Sequence, residues 1–76
     1  MEINDFIKNL ADQYDDVEFQ DFSPETKFKE LDEYSSLTAL SIIAMVDEEY
    51  EITLKGDDIR QATTVQELFD IVKAKA

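Results

Sequence analysis

The chain contains no histidine and no cysteine, and only one glycine (Gly56) and one proline (Pro24). Each shortage excludes something. Without cysteine there is no disulfide scaffold and no thiolate metal site. Without histidine, a serine nucleophile lacks its usual base. A sheet protein of this size would need more turn residues, so helices are favoured from the outset. Basic residues are scarce too: seven Lys and Arg face nineteen Asp and Glu, a net charge of -12. Such a field repels nucleic acid and anionic membranes and steers basic partner surfaces toward the protein. Solubility alone asks for a net charge of only about 2 to 8 on a small domain. No apolar run approaches a membrane-spanning length, and the first residues, MEINDFIKNL, lack the basic-then-apolar layout of a secretion signal. The expectation is a cytoplasmic monomer with neither nucleic-acid binding nor membrane insertion.

What is present is enough for one modest core. The 76 residues are 43% hydrophobic, which predicts a single packed domain over 1–76. Ile3, Phe6, Ile7, Leu10 and Tyr14, with Ala11 beside them, recur at helical spacing and predict a first amphipathic helix. Residues 15 to 35 read as a long connection, broken by Pro24. Its Val17, Phe19, Phe22, Phe28 and Leu31 carry too much apolar area to stay in water, so the loop is expected to fold back over the helices. Ser23 before Pro24 is placed to open a short helical turn. A second helix begins at Ser35-Ser36 and carries two apolar rows, more than a surface helix needs. One row suits the core. The other, with Leu37, Leu40 and Met45, is a candidate partner surface unless the loop covers it.

A short extended link, Glu51 to Leu54, ends at Gly56, and one helical turn follows over 57–61. Thr64 and Glu67 have capping-box spacing before a last helix whose apolar face is Val65, Leu68, Phe69 and Val72, extended by Ile71. Lys73 and Lys75 suit the negative end of its dipole. The fold class read from these patterns is all-α: a small four-helix bundle of three main helices and one short one, with a long loop after the first.

An enzyme reading fares badly. A lysine base would need a pocket this core has no room to enclose, and the many carboxylates lack a cleft. Asp12, Asp15, Asp16 and Glu18 do not match a calcium loop, whose ligands alternate around a central Gly; they read as a solvated acidic turn. Ser35 and Ser36 remain. A serine at a helix start can cap it through its side-chain oxygen. It can also expose a hydroxyl where free backbone N–H groups and the dipole would stabilise a phosphate diester. Two serines allow one of each, with Ser35 as the cap and Ser36 as the exposed hydroxyl.

The run Phe28-Lys-Glu-Leu-Asp-Glu-Tyr-Ser-Ser-Leu-Thr-Ala-Leu, then Asp47-Glu48-Glu49-Tyr50 and Ile52, then Ala62-Thr63-Thr64-Val65-Gln66-Glu67-Leu68, resembles the acyl carrier protein family over nearly the whole chain. The resemblance implies a four-helix bundle carrying a covalent 4'-phosphopantetheine arm on the serine of an Asp-Ser-Leu motif. A phosphopantetheinyl transferase donates that arm from coenzyme A with magnesium, and acyl groups ride on its thiol as thioesters. Ser36 takes the serine's place and Leu37 the leucine's. The acidic second helix of such carriers docks on basic patches of acyl-loading and acyl-processing enzymes, and Asp47, Glu48 and Glu49 match. Leu37 and Leu40 complete that candidate surface.

Three departures accompany the match. Ser35 stands where the family usually has Asp, which makes it a rival attachment point. Thr38 and Ser41 replace acids found in many fatty-acid carriers, and Glu33-Tyr34 replaces the usual Gly. These lean toward a specialised carrier in fatty acid or related lipid or polyketide-type biosynthesis. A bundle interior could shelter a fatty chain at about 0.8 kcal/mol per buried methylene, lined by Ile43, Val46, Ile59 and Phe69, unless these are plain core. The alternative from another class is a non-catalytic acidic adaptor that binds a basic partner, with both serines as caps.

Overall fold

A computed structural model describes residues 2–76. Four α-helices form the bundle: α1 (Ile3–Ala11), α2 (Ser36–Tyr50), α3 (Gly56–Gln61) and α4 (Val65–Lys75). No strand occurs among the described residues. Phe6, Ile7, Leu10 and Ala11 are buried, as the periodicity of α1 predicts. The helix ends earlier than the apolar pattern. After Ala11 the chain tightens, with the N–H groups of Gln13 and Tyr14 donating to Leu10 and Ala11, three residues back. Tyr14 therefore reaches the core from a turn. The core is one cluster that also takes Ile42 and Val46 of α2, Ile59 of α3, and Val65, Leu68, Phe69 and Val72 of α4. Fully burying one such side chain contributes about 1.5–3 kcal/mol. Packing therefore holds these short helices, which would be marginal alone.

The long loop does fold back, but selectively. Phe28 is completely buried, Phe22 nearly so, and Val17 and Leu31 pack against the cluster. Phe19 corrects the expectation: it stays 41% exposed in a 3₁₀ turn (Phe19–Asp21), with the Lys8 ammonium 5.7 Å from its ring. A cation over an aromatic face stabilises that position by about 0.5–1 kcal/mol at an exposed site. Ser23-Pro24 forms a turn and no helix, closed by the Thr26 N–H to the Ser23 carbonyl and the Ser23 N–H to Thr26 Oγ1. This turn has a structural use. The Val65 and Gln66 N–H groups at the start of α4 donate to the carbonyls of Thr26 and Pro24. The loop thus satisfies donors that a helix start leaves unpaired. Thr64 and Glu67 complete the predicted capping box there.

Candidate functional site

The start of α2 is assembled from the end of the long loop. The Tyr14 hydroxyl donates to the Phe28 carbonyl at 2.7 Å, inside the protein. Phe28 meets Tyr34 edge to face, with centroids 6.2 Å apart. This aromatic chain delivers the two residues that follow Tyr34. Burial raises the hydroxyl pKa of both Tyr14 and Tyr34; for Tyr14 the nearby Tyr34 and Glu33 raise it further, so both hydroxyls stay neutral and that of Tyr14 stays a donor.

The serines part company at this point. Ser35 has extended backbone and is the N-cap of α2. The Thr38 N–H donates to its Oγ at 3.3 Å, and its own N–H donates to Thr38 Oγ1 at 3.1 Å. Thr38 is buried, and its hydroxyl donates onward to the Glu33 carbonyl. Ser35 is thus bound into a reciprocal box. Ser36 is the first residue of the helix and exposed, and no hydrogen bond joins its hydroxyl to another of the described residues.

Leu37 and Leu40 are 74% and 62% exposed, and the long loop does not cover them. Met45, expected beside them, is instead buried against the core. The helical period places Leu37, Leu40, Ala44 and Asp47 in one row, with Glu48 beside it. Asp47, Glu48 and Glu49 are all exposed. Their placement opposes stability: the last turn of α2 has no basic residue, and acids at a helix C-terminus each cost about 0.3–1 kcal/mol. The first turn has no acid either, which leaves its free N–H groups open to an anion.

Beside Ser36 runs a groove of about 360 Å³ between α2 and α3, mainly apolar, walled by Tyr34, Ala39, Leu40, Ile43 and Ile59, with Gly56 and Arg60 at its α3 side. Of the four residues expected to line an apolar interior site, Ile43 and Ile59 do so; Val46 and Phe69 are buried in the core and do not reach it. A second, polar notch of about 210 Å³ lies between α1 and α2 and includes Asp12, Glu48 and Glu49. Among the described residues no three His, Cys, Asp or Glu side chains group together as a metal site. Asp16 has a left-handed φ of 62°, in keeping with a tight acidic turn.

Comparison with known proteins adds a decisive observation. The family described as "phosphopantetheine attachment site" matches residues 5–72. The chain belongs to this family. A protein from Picosynechococcus sp. called acyl carrier protein is 32% identical over 74 residues, covering 97% of this chain and 91% of that protein. No solved structure matches the chain significantly. The chain is accordingly a carrier and not an enzyme: its prosthetic group is a covalent 4'-phosphopantetheine, and the thiol of that group supplies the chemistry.

The residues of this carrier fit such a group. An exposed serine hydroxyl stands at the N-terminus of a 15-residue helix, free of acids in its first turn, with an apolar groove alongside. No described helix is long and apolar enough to cross a membrane.

Proposed function

We propose that residues 1–76 form an acyl carrier domain that bears its 4'-phosphopantetheine on Ser36 and serves fatty acid or related lipid or polyketide-type biosynthesis. The observation that carries the attachment is the contrast between the two serines. Ser35 Oγ is committed to the cap, and extracting it would leave the Thr38 N–H unpaired, a loss of about 1 kcal/mol. Ser36 Oγ is free and exposed, so a transferase can reach it without disturbing the helix. Leu37 follows it, as in the family's motif.

The docking face is Leu37 and Leu40 with Asp47, Glu48 and Glu49. The two leucines forgo most of the about 1.5–3 kcal/mol that full burial of such a side chain contributes, and a partner's apolar socket can recover it. The three carboxylates oppose their own helix dipole, which is understandable if a basic partner surface neutralises them. Partners of this chemistry are the loading transferase and acyl-loading and acyl-processing enzymes, met in the cytoplasm by a monomeric carrier. An acyl chain fits the groove walled by Ile43 and Ile59.

Incubation with coenzyme A, magnesium and a promiscuous phosphopantetheinyl transferase, followed by intact-mass measurement, tests the reading. Wild type gains one arm and Ser36→Ala gains none. Charge reversal by Glu48→Lys slows loading without changing its end point. A wild-type chain that gains no mass would refute the proposal.

A further inference from the structure

The groove beside Ser36 contains one charged side chain, Arg60. It is also the single arginine of the chain. In a molecule of net charge -12, a lone guanidinium on an otherwise uncharged groove calls for an account. Its base is fixed: Lys29 Nζ donates to the carbonyls of Ile59 and Arg60, 2.9 Å from each. These are carbonyls near the end of α3, which a cation stabilises. From that base the Arg60 side chain turns back along α3. Its Nη1 lies 3.8 Å from where a Cβ on Gly56 would stand. There it pairs with Asp57 on the same helix turn, both side chains being largely exposed. Such an exposed pair is weak and exchangeable. The bulky side chain with the anion-seeking fork is therefore held along the α3 wall, facing the groove that opens at Ser36.

We propose that Arg60 is a positioning residue for the prosthetic arm: its guanidinium engages the phosphodiester joined to Ser36 and draws the root of the arm over the α2–α3 groove. The inference rests on attachment at Ser36. Charge and geometry act together. A phosphodiester bears one negative charge, and the guanidinium matches its oxygens with two parallel N–H donors. The helix N-terminus of α2 approaches the same anion from the other wall. Asp57 competes with the phosphodiester for Arg60 and weakens the engagement.

The solitary arginine makes the test direct, because the side-chain Nε–Hε group gives a single NMR signal. The full chain is loaded in vitro with coenzyme A and a transferase, and the extent and site of loading are read by mass on wild type and Ser36→Ala. The expected results are that the Arg60 Nε–Hε signal shifts on loading, and that the ³¹P shift of the phosphodiester depends on ionic strength. Arg60→Gln removes most of that dependence and Arg60→Lys restores part of it. Asp57→Asn, which frees the guanidinium, enlarges it. An exposed pair changes the engaged population by about 1.4- to 5-fold. The difference between variants fades as salt shortens the Debye length from about 30 Å at 0.01 M to about 3 Å at 1 M.

A role limited to supporting α3 would move Arg60→Gln and Asp57→Asn in the same direction, and that result overturns the proposal. Full loading at Ser36 with an unmoved Arg60 signal also overturns it, and leaves the attachment site standing. Loading that persists in Ser36→Ala, or fails in wild type, overturns both.

Discussion

Replacing Tyr14 by Phe removes one oxygen atom and tests how the attachment region is held. Tyr14 is 5% exposed, its ring packs edge to face on Phe22 with centroids 5.2 Å apart, and its hydroxyl donates to the Phe28 carbonyl at 2.7 Å. The Tyr14→Phe ring keeps the packing, so the loss is confined to the hydrogen bond and to the carbonyl left behind. Leaving a buried acceptor unpaired costs about 1–3 kcal/mol. For a domain of this size each kcal/mol lowers Tm by about 4–8 °C. The expected drop in a thermal melt followed by far-UV circular dichroism is therefore roughly 4–24 °C. The pH dependence adds a second signature. Burial raises the Tyr14 pKa above its unfolded value of about 10, so the folded state holds its proton where the unfolded state has lost it. The stabilisation from the neutral hydroxyl is complete below about pH 10 and declines as the pH rises through the folded pKa. The gap between wild type and Tyr14→Phe should narrow above about pH 10. A variant with unchanged Tm, or a gap that widens in alkali, would show that this bond does not anchor the loop.

Two further outcomes follow from the caps. Ser35→Ala should lower stability by about 1 kcal/mol, or about 4–8 °C in Tm, because it unpairs the Thr38 N–H; a melt equal to that of wild type would contradict the capping role. At the other cap, the backbone N–H groups of Thr63 and Thr64 donate to Glu67 and lower its pKa. A depressed carboxylate stabilises the fold above its unfolded pKa, about 4.3, and loses that effect as the pH falls through the folded value. Glu67→Gln should accordingly be less stable than wild type at neutral pH, with denaturant curves that converge in acid; a gap independent of pH would refute the assignment.

Helices α1 and α4 were legible because a wide apolar face at regular spacing is sufficient to specify a packed helix, and Thr64 with Glu67 marks where one starts. The limits of the other elements were harder to read for particular physical reasons. α2 ends at Tyr50 and is capped by Glu51, which takes a left-handed φ of 56°, a conformation usually signalled by Gly. In a chain whose single glycine opens α3, that stop carries no composition mark. Met45 and Leu40 are both apolar on α2; which of them is buried depends on α1 and the loop, and no local pattern contains that information. The exposure of Phe19 is not legible in the sequence, because hydrophobicity alone argues for burial, while its exposed place beside Lys8 depends on a contact across the fold. The division between Ser35 and Ser36 was legible, since capping geometry lets only one of two adjacent residues turn its oxygen back to the helix. The groove is half legible in the sequence, which points to Ile43 and Ile59 and not to Arg60. A signal existed, for a lone arginine in an acidic chain is itself unusual, yet only the fold places it across from Ser36.

In the proposed function the two serines divide the work, one holding the helix and the other the arm. Parallel intact-mass measurements on wild type, Ser35→Ala and Ser36→Ala, after exposure to coenzyme A, magnesium and a phosphopantetheinyl transferase, test it most directly. The expected result is the mass of one arm on wild type and on the less stable Ser35→Ala, and none on Ser36→Ala. An arm retained by Ser36→Ala and lost from Ser35→Ala, with Ser35→Ala still folded, would contradict it.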